Sequence, residues 1–224
     1  MDSIAEVLKQ SLIFSGLNQT ELNELTGLTI EYSFTAGNFI FWEGDALQRF
    51  YLVREGRVRI LKQSSSGKEF TVAFFGPREM FGGVAAFEGK PYPASAQAVT
   101  KTRVLGIRRE EFLVFLTNHP AVALKIINVL GVRLREAHER LRDLAAEKAE
   151  RRLAKILLML SSKISPNLPF TRQEIADMAG TTTETAIRVL SRLKAGGIIH
   201  SARGKIVILN ETKLKLLSEG PPQI

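Results

Sequence analysis

Apolar positions in the first half of the chain change from a helical to a strand-like spacing near Leu28. Residues 4–26 are predicted to form short helices, in which leucines supply the apolar contacts. From Leu28 to about Ile107, short segments such as 30–34 and 70–74 alternate apolar and polar side chains, and turn-forming residues separate them. This pattern predicts an antiparallel sandwich or roll. A roll with an apolar inner face has room for a small ligand, although a purely structural core has the same pattern.

A long helical stretch follows, from about His119 to Leu144, with Pro120 at an early position where its missing N–H is not needed. Apolar residues then recur at the heptad spacing of a two-stranded coiled coil. The positions of this seam are Ile127, Leu130, Leu134, Ala137, Leu141 and Leu144. Leu124 and Val132 give the helix a second apolar face, so that one face can pack on the roll and the other on a second copy of the chain. The alternative is a monomeric helix that buries the stripe in its own domain.

Residues 170–200 have the pattern of two short helices joined by a tight turn. Thr171 and Glu174 form a capping-box pair, which predicts that a helix begins directly after Thr171. Gly180 ends this helix, and the threonines at 181–182 are suitable caps for a second one. Two short helices with a glycine turn form a helix-turn-helix, whose second helix enters the major groove of DNA.

The outward face of the second helix carries side chains that can read base edges. Arginine pairs with guanine O6 and N7, and glutamate accepts from cytosine N4, which makes Arg188 and Glu184 candidate base-reading residues. The apolar segments that flank residues 202–205 predict a hairpin wing whose cations lie on phosphates. The expected DNA contacts are Arg172, Thr182, Thr183, Glu184, Ile187, Arg188, Arg203 and Lys205.

Two structural alternatives exist for these charged residues. Glu184 can instead close a capping box with Thr181, and Glu184 and Arg188 can form a solvated ion pair one helical turn apart. Helix-turn-helix shapes also occur in proteins that bind no DNA. The wing and the coiled-coil seam favour DNA binding over these alternatives.

The positive charge of the chain is concentrated near its end. Residues 146–224 contain 13 Lys and Arg against 7 Asp and Glu, a net +6 out of the whole chain's +8. Clustered cations suit a DNA backbone, because each neutralised phosphate releases counterions. A merely basic and soluble surface would show the same bias.

Composition and motifs exclude several classes of protein. The chain has no cysteine, which excludes disulfides, thiolate nucleophiles and cysteine-ligated iron–sulfur clusters. It shows no P-loop, nucleophile elbow, zinc motif or dinucleotide fingerprint, and its three histidines are scattered, so we expect no enzyme activity. The first residues lack the features of a signal peptide, and no apolar run is long enough to span a membrane, which predicts a cytoplasmic protein.

The order of the elements and two motifs resemble the Crp/Fnr family of bacterial transcription regulators over nearly the whole chain. Residues 170–190 are similar to the helix-turn-helix of the family, and residues 50–60 with Phe81-Gly82 are similar to its sensor domain. The resemblance implies an α+β fold and a homodimer that binds an inverted repeat in double-stranded DNA, with RNA polymerase as a further partner. The implied domains are a β-roll sensor of the double-stranded β-helix or jelly-roll kind, like a cyclic nucleotide-binding domain (1–118), a dimerisation helix (119–145) and a winged helix-turn-helix (146–224).

The sensor motif departs from the family at the positions that hold cyclic AMP. Members that bind it have a glutamate after the Phe/Ile-Gly pair and an Arg-Ser pair at the cyclic phosphate, where this chain has Gly83 and Pro93-Ala94. The adenine-contacting threonine and serine of the dimer helix correspond to Ala137 and His138. The resemblance therefore implies an unidentified effector other than cyclic AMP. The expected pocket consists of Phe74, Phe81, Gly82, Gly83, Val84, Phe87, Tyr92, Pro93, Ala94, Arg133 and Ala137.

Residues 91–99 are most similar to the branch of the family related to the dissimilatory nitrate respiration regulator, whose members respond to nitric oxide through haem. That similarity makes haem a candidate cofactor and His119 and His138 candidate iron ligands, although a lone histidine is more often a surface or capping residue. Three alternatives stay open: a haem-dependent sensor of nitric oxide or redox gases, a cyclic nucleotide-binding regulator with an atypical pocket, and a small-molecule sensor that works by protein contacts alone.

Overall fold

The computed structural model describes residues 2–63, 69–202 and 204–219, without the side chains of residues 84–86. The chain forms two compact units, Met1–Leu134 and Arg135–Ile224, which divide inside the long helix. In chain order the elements are α1 (Ile4–Gln10), α2 (Gln19–Gly27), β1 (Thr29–Phe34), β2 (Phe39–Phe41), β3 (Arg49–Glu55), β4 (Val58–Gln63), β5 (Glu69–Phe75), β6 (Met80–Phe81), α3 (Gly83–Glu88), β7 (Ser95–Ala98), β8 (Thr102–Arg108), α4 (Arg109–Asn118), α5 (Pro120–Ala146), α6 (Ala149–Lys163), β9 (Asn167–Leu168), α7 (Arg172–Met178), α8 (Thr183–Ala195), β10 (Ile199–Ala202), β11 (Lys205–Ile208) and α9 (Glu211–Glu219).

Antiparallel strands build the first unit, which confirms the predicted roll. Its described strands form two four-stranded sheets, in the orders β1-β8-β3-β6 and β2-β7-β4-β5. The turn between β3 and β4 requires Gly56, whose φ is +83° and whose position leaves no room for a Cβ beside the Lys101 carbonyl and Thr102. Phe41, whose ring stacks on Tyr92 with centroids 3.7 Å apart, belongs to the aromatic core of the roll.

The first half of α5 packs on the roll through a face that the sequence analysis did not single out. Val122 and Ile126 are buried in the core that also contains the phenylalanines of α4. Leu124 and Val132, which the sequence gives as a second apolar face of the helix, are exposed, so that face does not pack on the roll. Residues four apart lie on one face of a helix, so Val122 and Ile126 define the face of α5 that packs on the roll.

The second unit is a helical core with a small sheet. Leu153, Leu157 and Leu160 of α6 are completely buried, and α7, α8 and α9 pack against this helix. The sheet has the order β10-β11-β9, with β10 and β11 forming the predicted hairpin. This arrangement confirms the winged helix-turn-helix.

In the part of the chain that the structure describes, no single helix has both the length and the apolar character needed to cross a membrane. The adjoining helices α4 and α5 meet this test only when taken together, and they are bent by 111°.

Candidate nucleic-acid interface and ligand cavity

Side-chain caps define where the two helices of the helix-turn-helix begin. The Thr171 hydroxyl accepts from the Glu174 N–H, and the Glu174 carboxylate accepts from the Thr171 N–H, so α7 begins at Arg172 as predicted. The turn after α7 places Gly180 at a φ of +59°, a conformation that other residues rarely adopt. These local interactions fix the angle at which the second helix leaves the turn.

The cap of α8 is Thr182, whose hydroxyl accepts from the Thr185 N–H at 3.2 Å. Thr181 lies in the turn, and its N–H donates to the Ala176 carbonyl. The alternative in which Glu184 closes a capping box with Thr181 is therefore wrong, because the third position of the helix is Thr185.

The two faces of α8 are chemically distinct. The inward side chains Ala186, Val189, Leu190 and Leu193 are buried. Glu184, Ile187 and Arg188 are exposed on the outer side, and among the described residues neither Glu184 nor Arg188 has an ion pair or a hydrogen bond to another side chain. The alternative of a solvated pair between them is not observed, and both polar groups are available to a ligand.

The other predicted DNA contacts lie around α8. Arg172 and Thr182 are exposed at the starts of α7 and α8, and the partly exposed Thr183 donates its hydroxyl to the Gln173 side-chain oxygen. Lys205 is exposed at the beginning of β11, opposite Ala202. The predicted contact Arg203 lies outside the described residues.

Gln173 belongs to this surface and was missed by the sequence reasoning. It is exposed on α7, and its amide nitrogen donates to Asp177 at 2.8 Å while its oxygen accepts from Thr183. The Gln173–Asp177 spacing of four is visible in the sequence, whereas the contact with α8 depends on how the two helices pack.

A cavity of about 380 Å³ lies in the first unit between the roll and the first half of α5. Eight predicted residues line it: Phe81, Gly82, Gly83, Phe87, Tyr92, Pro93, Ala94 and Arg133. The sequence reasoning missed the other lining residues, which are Phe41, Ile60, Val72, Ala73, Phe75, Met80, Ile126, Leu130 and Leu134. Most of these are apolar strand and helix residues that no motif distinguishes from the rest of the core.

The remaining residues of the predicted pocket are Phe74, Val84 and Ala137. Phe74 is buried, but it is Phe75 that lines the cavity, because adjacent side chains of a strand point to opposite faces. The side chain of Val84 lies outside the described part of the chain. Ala137 belongs to the second unit, and its role in the pocket stays a prediction.

Arg133 is the cation that lines the cavity. Its Nη2 donates to the Met80 carbonyl at 2.9 Å, and its guanidinium lies 4.5 Å from the centre of the Phe75 ring. The nearby Lys90 is exposed and pairs with Glu88 at 2.9 Å. The Tyr92 hydroxyl donates to the Arg49 carbonyl at 2.8 Å, and burial raises the pKa of this phenol. The cavity is thus an apolar and aromatic site with one guanidinium already engaged by the protein.

The candidate iron ligand His119 is already engaged by two side chains. Both ring nitrogens of His119 face carboxylates, Nδ1 at 3.4 Å from Glu21 and Nε2 at 3.1 Å from Glu24, so this side chain joins α2 to the α4–α5 junction. His138 is exposed on α5. The His119 geometry therefore argues against its predicted role as an iron ligand.

Two domain families match separate parts of the chain. Residues 31–119 match the cyclic nucleotide-binding domain, and residues 151–217 match the Crp-like helix-turn-helix domain. The cyclic AMP receptor protein of Thermus thermophilus is 33% identical over 214 residues, covering 95% of this chain and 99% of that protein. The nitrogen fixation regulation protein FixK of Bradyrhizobium diazoefficiens is 30% identical over 220 residues, covering 94% and 91%.

Solved structures are similar over the same length. The catabolite activator protein of Thermus thermophilus has 33% sequence identity and a TM-score of 0.55, and the match covers 93% of this chain and 99% of that one. FixK2 from Bradyrhizobium japonicum has 27% identity and a TM-score of 0.73, with 87% and 99% covered. The matches therefore include both the roll and the helix-turn-helix.

Proposed function

The chain belongs to the Crp/Fnr family of transcription regulators, and from this premise we propose that it is a homodimer whose binding to an inverted repeat responds to a small apolar effector other than cyclic AMP. Membership makes the chain a DNA-binding transcription regulator and not an enzyme. The dimer, the operator and the effector go beyond what this membership shows.

The exposed seam of α5 supports the dimer. Ile127 is 61% exposed, Leu134 57% and Leu141 63% in the single chain. Large apolar side chains at heptad spacing are stabilised when a second helix covers them. A monomeric helix that buries the seam in its own domain does not agree with these exposures.

The observation that carries the proposed operator recognition is the exposure of Glu184 and Arg188 on a capped helix, where neither has a side-chain partner among the described residues. By resemblance they read a TGA-like core in each half-site, and the 39% exposed Ile187, which replaces a serine of some relatives, contacts a thymine methyl group. A twofold dimer places its half-sites about one helical turn, roughly 34 Å, apart. A regulator bound beside a promoter contacts RNA polymerase. We expect the protein to act in the bacterial cytoplasm.

The lining of the cavity supports an effector that is not cyclic AMP. A buried cyclic phosphate needs a cation, and leaving such an anion uncompensated costs on the order of several kcal/mol. Arg133 already donates to the Met80 carbonyl and lies on Phe75, whereas Lys90 is ion-paired in solvent. Gly83, Pro93 and Ala94 offer no side chain that can bind a ribose or a phosphate. A compact apolar or aromatic molecule suits this site better.

Three measurements on the purified wild-type protein test the proposal. Light scattering should give the mass of a dimer, and fluorescence anisotropy should show salt-dependent preference for an inverted repeat over a shuffled duplex of equal length. Calorimetric titration with cyclic AMP and with cyclic GMP should show no binding in the micromolar range. A monomeric mass contradicts the dimer, and micromolar binding of either nucleotide coupled to tighter DNA binding contradicts the effector assignment.

A further inference from the structure

The guanidinium of Arg152, in α6, binds backbone carbonyls from two separate segments of the second unit. Nη1 donates to the Glu147 carbonyl at 2.6 Å, directly after the end of α5. Nε donates to the Ala179 carbonyl at 2.8 Å and Nη2 to the Gly180 carbonyl at 3.0 Å, both in the turn of the helix-turn-helix. One side chain therefore joins the end of the long helix to the turn that aims α8.

The chemistry of this contact is specific to arginine. Carbonyls at the end of a helix have no partner within the helix and must be satisfied from outside. A guanidinium presents its donors in a rigid planar fork, and hydrogen bonds from a charged donor are stronger than neutral ones. Lysine has a single ammonium group on a flexible stem, so it keeps the charge of Arg152 without binding all three carbonyls in this geometry.

The last turns of α5 also pack directly on the same part of the second unit. The side chain of Leu144 occupies the space into which a Cβ on Gly180 would project, so α5 and the turn are in close contact. Asp143 pairs with Lys155 of α6 at 2.7 Å. The Arg152 bonds thus lie in a junction where the direction of α5 relative to α6 and to the turn is closely determined.

We propose that Arg152 is a positioning residue for DNA binding, which fixes the direction of α8 relative to the end of α5. In a dimer joined along α5, that direction sets the distance and angle between the two recognition helices. The inference rests on the proposed homodimer on an inverted repeat. The donors of Arg152 bind within the protein, and its effect on DNA binding acts through the geometry of α8.

A residue that positions the two recognition helices affects the affinity for an inverted repeat more than the affinity for a single half-site. Without Arg152, each helix-turn-helix keeps the N-terminal caps Thr171 and Thr182 and its buried core, so we expect a single half-site to be bound as before. The second half-site is then bound with a lower effective concentration, because the second recognition helix samples a wider range of positions. We expect affinity for the inverted repeat to fall by about 5- to 150-fold, the usual range of coupling between two sites.

The experiment uses the full-length protein with Arg152→Lys and Arg152→Gln. Fluorescence anisotropy measures Kd for an inverted repeat, for a duplex with one half-site, and for inverted repeats whose spacer is one base pair longer or shorter. Both variants should bind the inverted repeat more weakly, keep the half-site Kd, and discriminate less between spacers. Arg151→Gln is the matched control, because Arg151 binds the Glu147 carboxylate in an ordinary pair one helical turn apart and, among the described residues, makes no hydrogen bond to the turn.

Three results would overturn the inference. If affinity falls equally for the half-site and for the inverted repeat, Arg152 only supports the fold of the domain. Thermal unfolding followed by circular dichroism would then show a lower melting temperature for the Arg152 variants. An unchanged Kd for every duplex means that the bonds have no effect on DNA binding. A loss in Arg151→Gln equal to that in Arg152→Gln assigns the effect to charge. Failure of the proposed function is recognised separately, because wild-type protein would then show no preference for the inverted repeat.

Discussion

Removal of the Arg188 side chain tests most directly how α8 recognises DNA. Arg188 is exposed and has no partner among the described residues, so Arg188→Ala leaves no buried group unsatisfied and no ion pair broken in the free protein. Alanine also has the highest helix propensity. We therefore expect the free energy of unfolding to change by less than about 0.5 kcal/mol, as for other surface substitutions.

The expected loss follows from the chemistry of the guanidinium and the symmetry of the dimer. A bidentate arginine–guanine contact contributes about 1–3 kcal/mol of discrimination in each half-site. A dimer makes this contact twice, so binding to the full inverted repeat should weaken by about 2–6 kcal/mol, which is at least about 30-fold in Kd. The preference at one base of each half-site should relax as well.

Fluorescence anisotropy with operator duplexes gives the Kd values, and selection from random duplexes gives the preferred base at each position. Arg192→Ala is the matched control, because Arg192 lies on the same helix one turn later and pairs with Glu150 at 3.6 Å. The reasoning is refuted if Arg188→Ala leaves the selected consensus unchanged, or if Arg192→Ala alters the consensus to the same extent.

Three further changes have distinct expected outcomes. Leu134→Glu should place two charges in the apolar seam and convert the dimer to a monomer in light scattering, whereas Leu216→Glu, at an exposed position of α9, should leave the dimer intact. A dimeric mass for Leu134→Glu contradicts the proposed interface. Lys205→Ala on the wing should weaken all DNA sequences alike and reduce the slope of log Kd against log salt by about one per wing, and a sequence-dependent loss would show that it reads bases. Leu157→Ala truncates a side chain of α6 that is completely buried, and thermal or urea unfolding should show that the free energy of unfolding of the second unit falls by about 2–5 kcal/mol. A decrease below about 1 kcal/mol would mean that neighbouring side chains fill the space left by the truncated leucine.

Features that depend on a few neighbouring residues could be predicted from the sequence. The capping pair Thr171 and Glu174 and the glycine at 180 define α7 and its turn, because helix ends are decided by hydrogen bonds over three or four residues. The alternating strands predicted a roll and the heptad spacing predicted the long helix, since both periods reflect the local geometry of the backbone. At the candidate sites, the sequence predicted eight of the residues that line the cavity and the outward-facing residues of α8.

Other features depend on which distant segments pack together. The helix α9 and the strand β9 were not predicted, because α9 is stabilised by packing on α6 and β9 by pairing with β11. Short elements of this kind have weak local preferences, and tertiary contacts decide whether they form.

The same distinction applies to single side chains. Periodicity assigns Leu124 to an apolar face, but only the packed structure shows that Val122 contacts the roll and that Phe75, not Phe74, reaches the cavity. It alone shows that His119 is held between two carboxylates and that Arg152 binds the turn 27 residues further along the chain. The sequence by itself determined the helix caps, the turns and the periods, because those interactions lie within a few residues of one another. The tertiary structure decided the partners of charged and aromatic side chains, because those partners come from segments that only folding brings together.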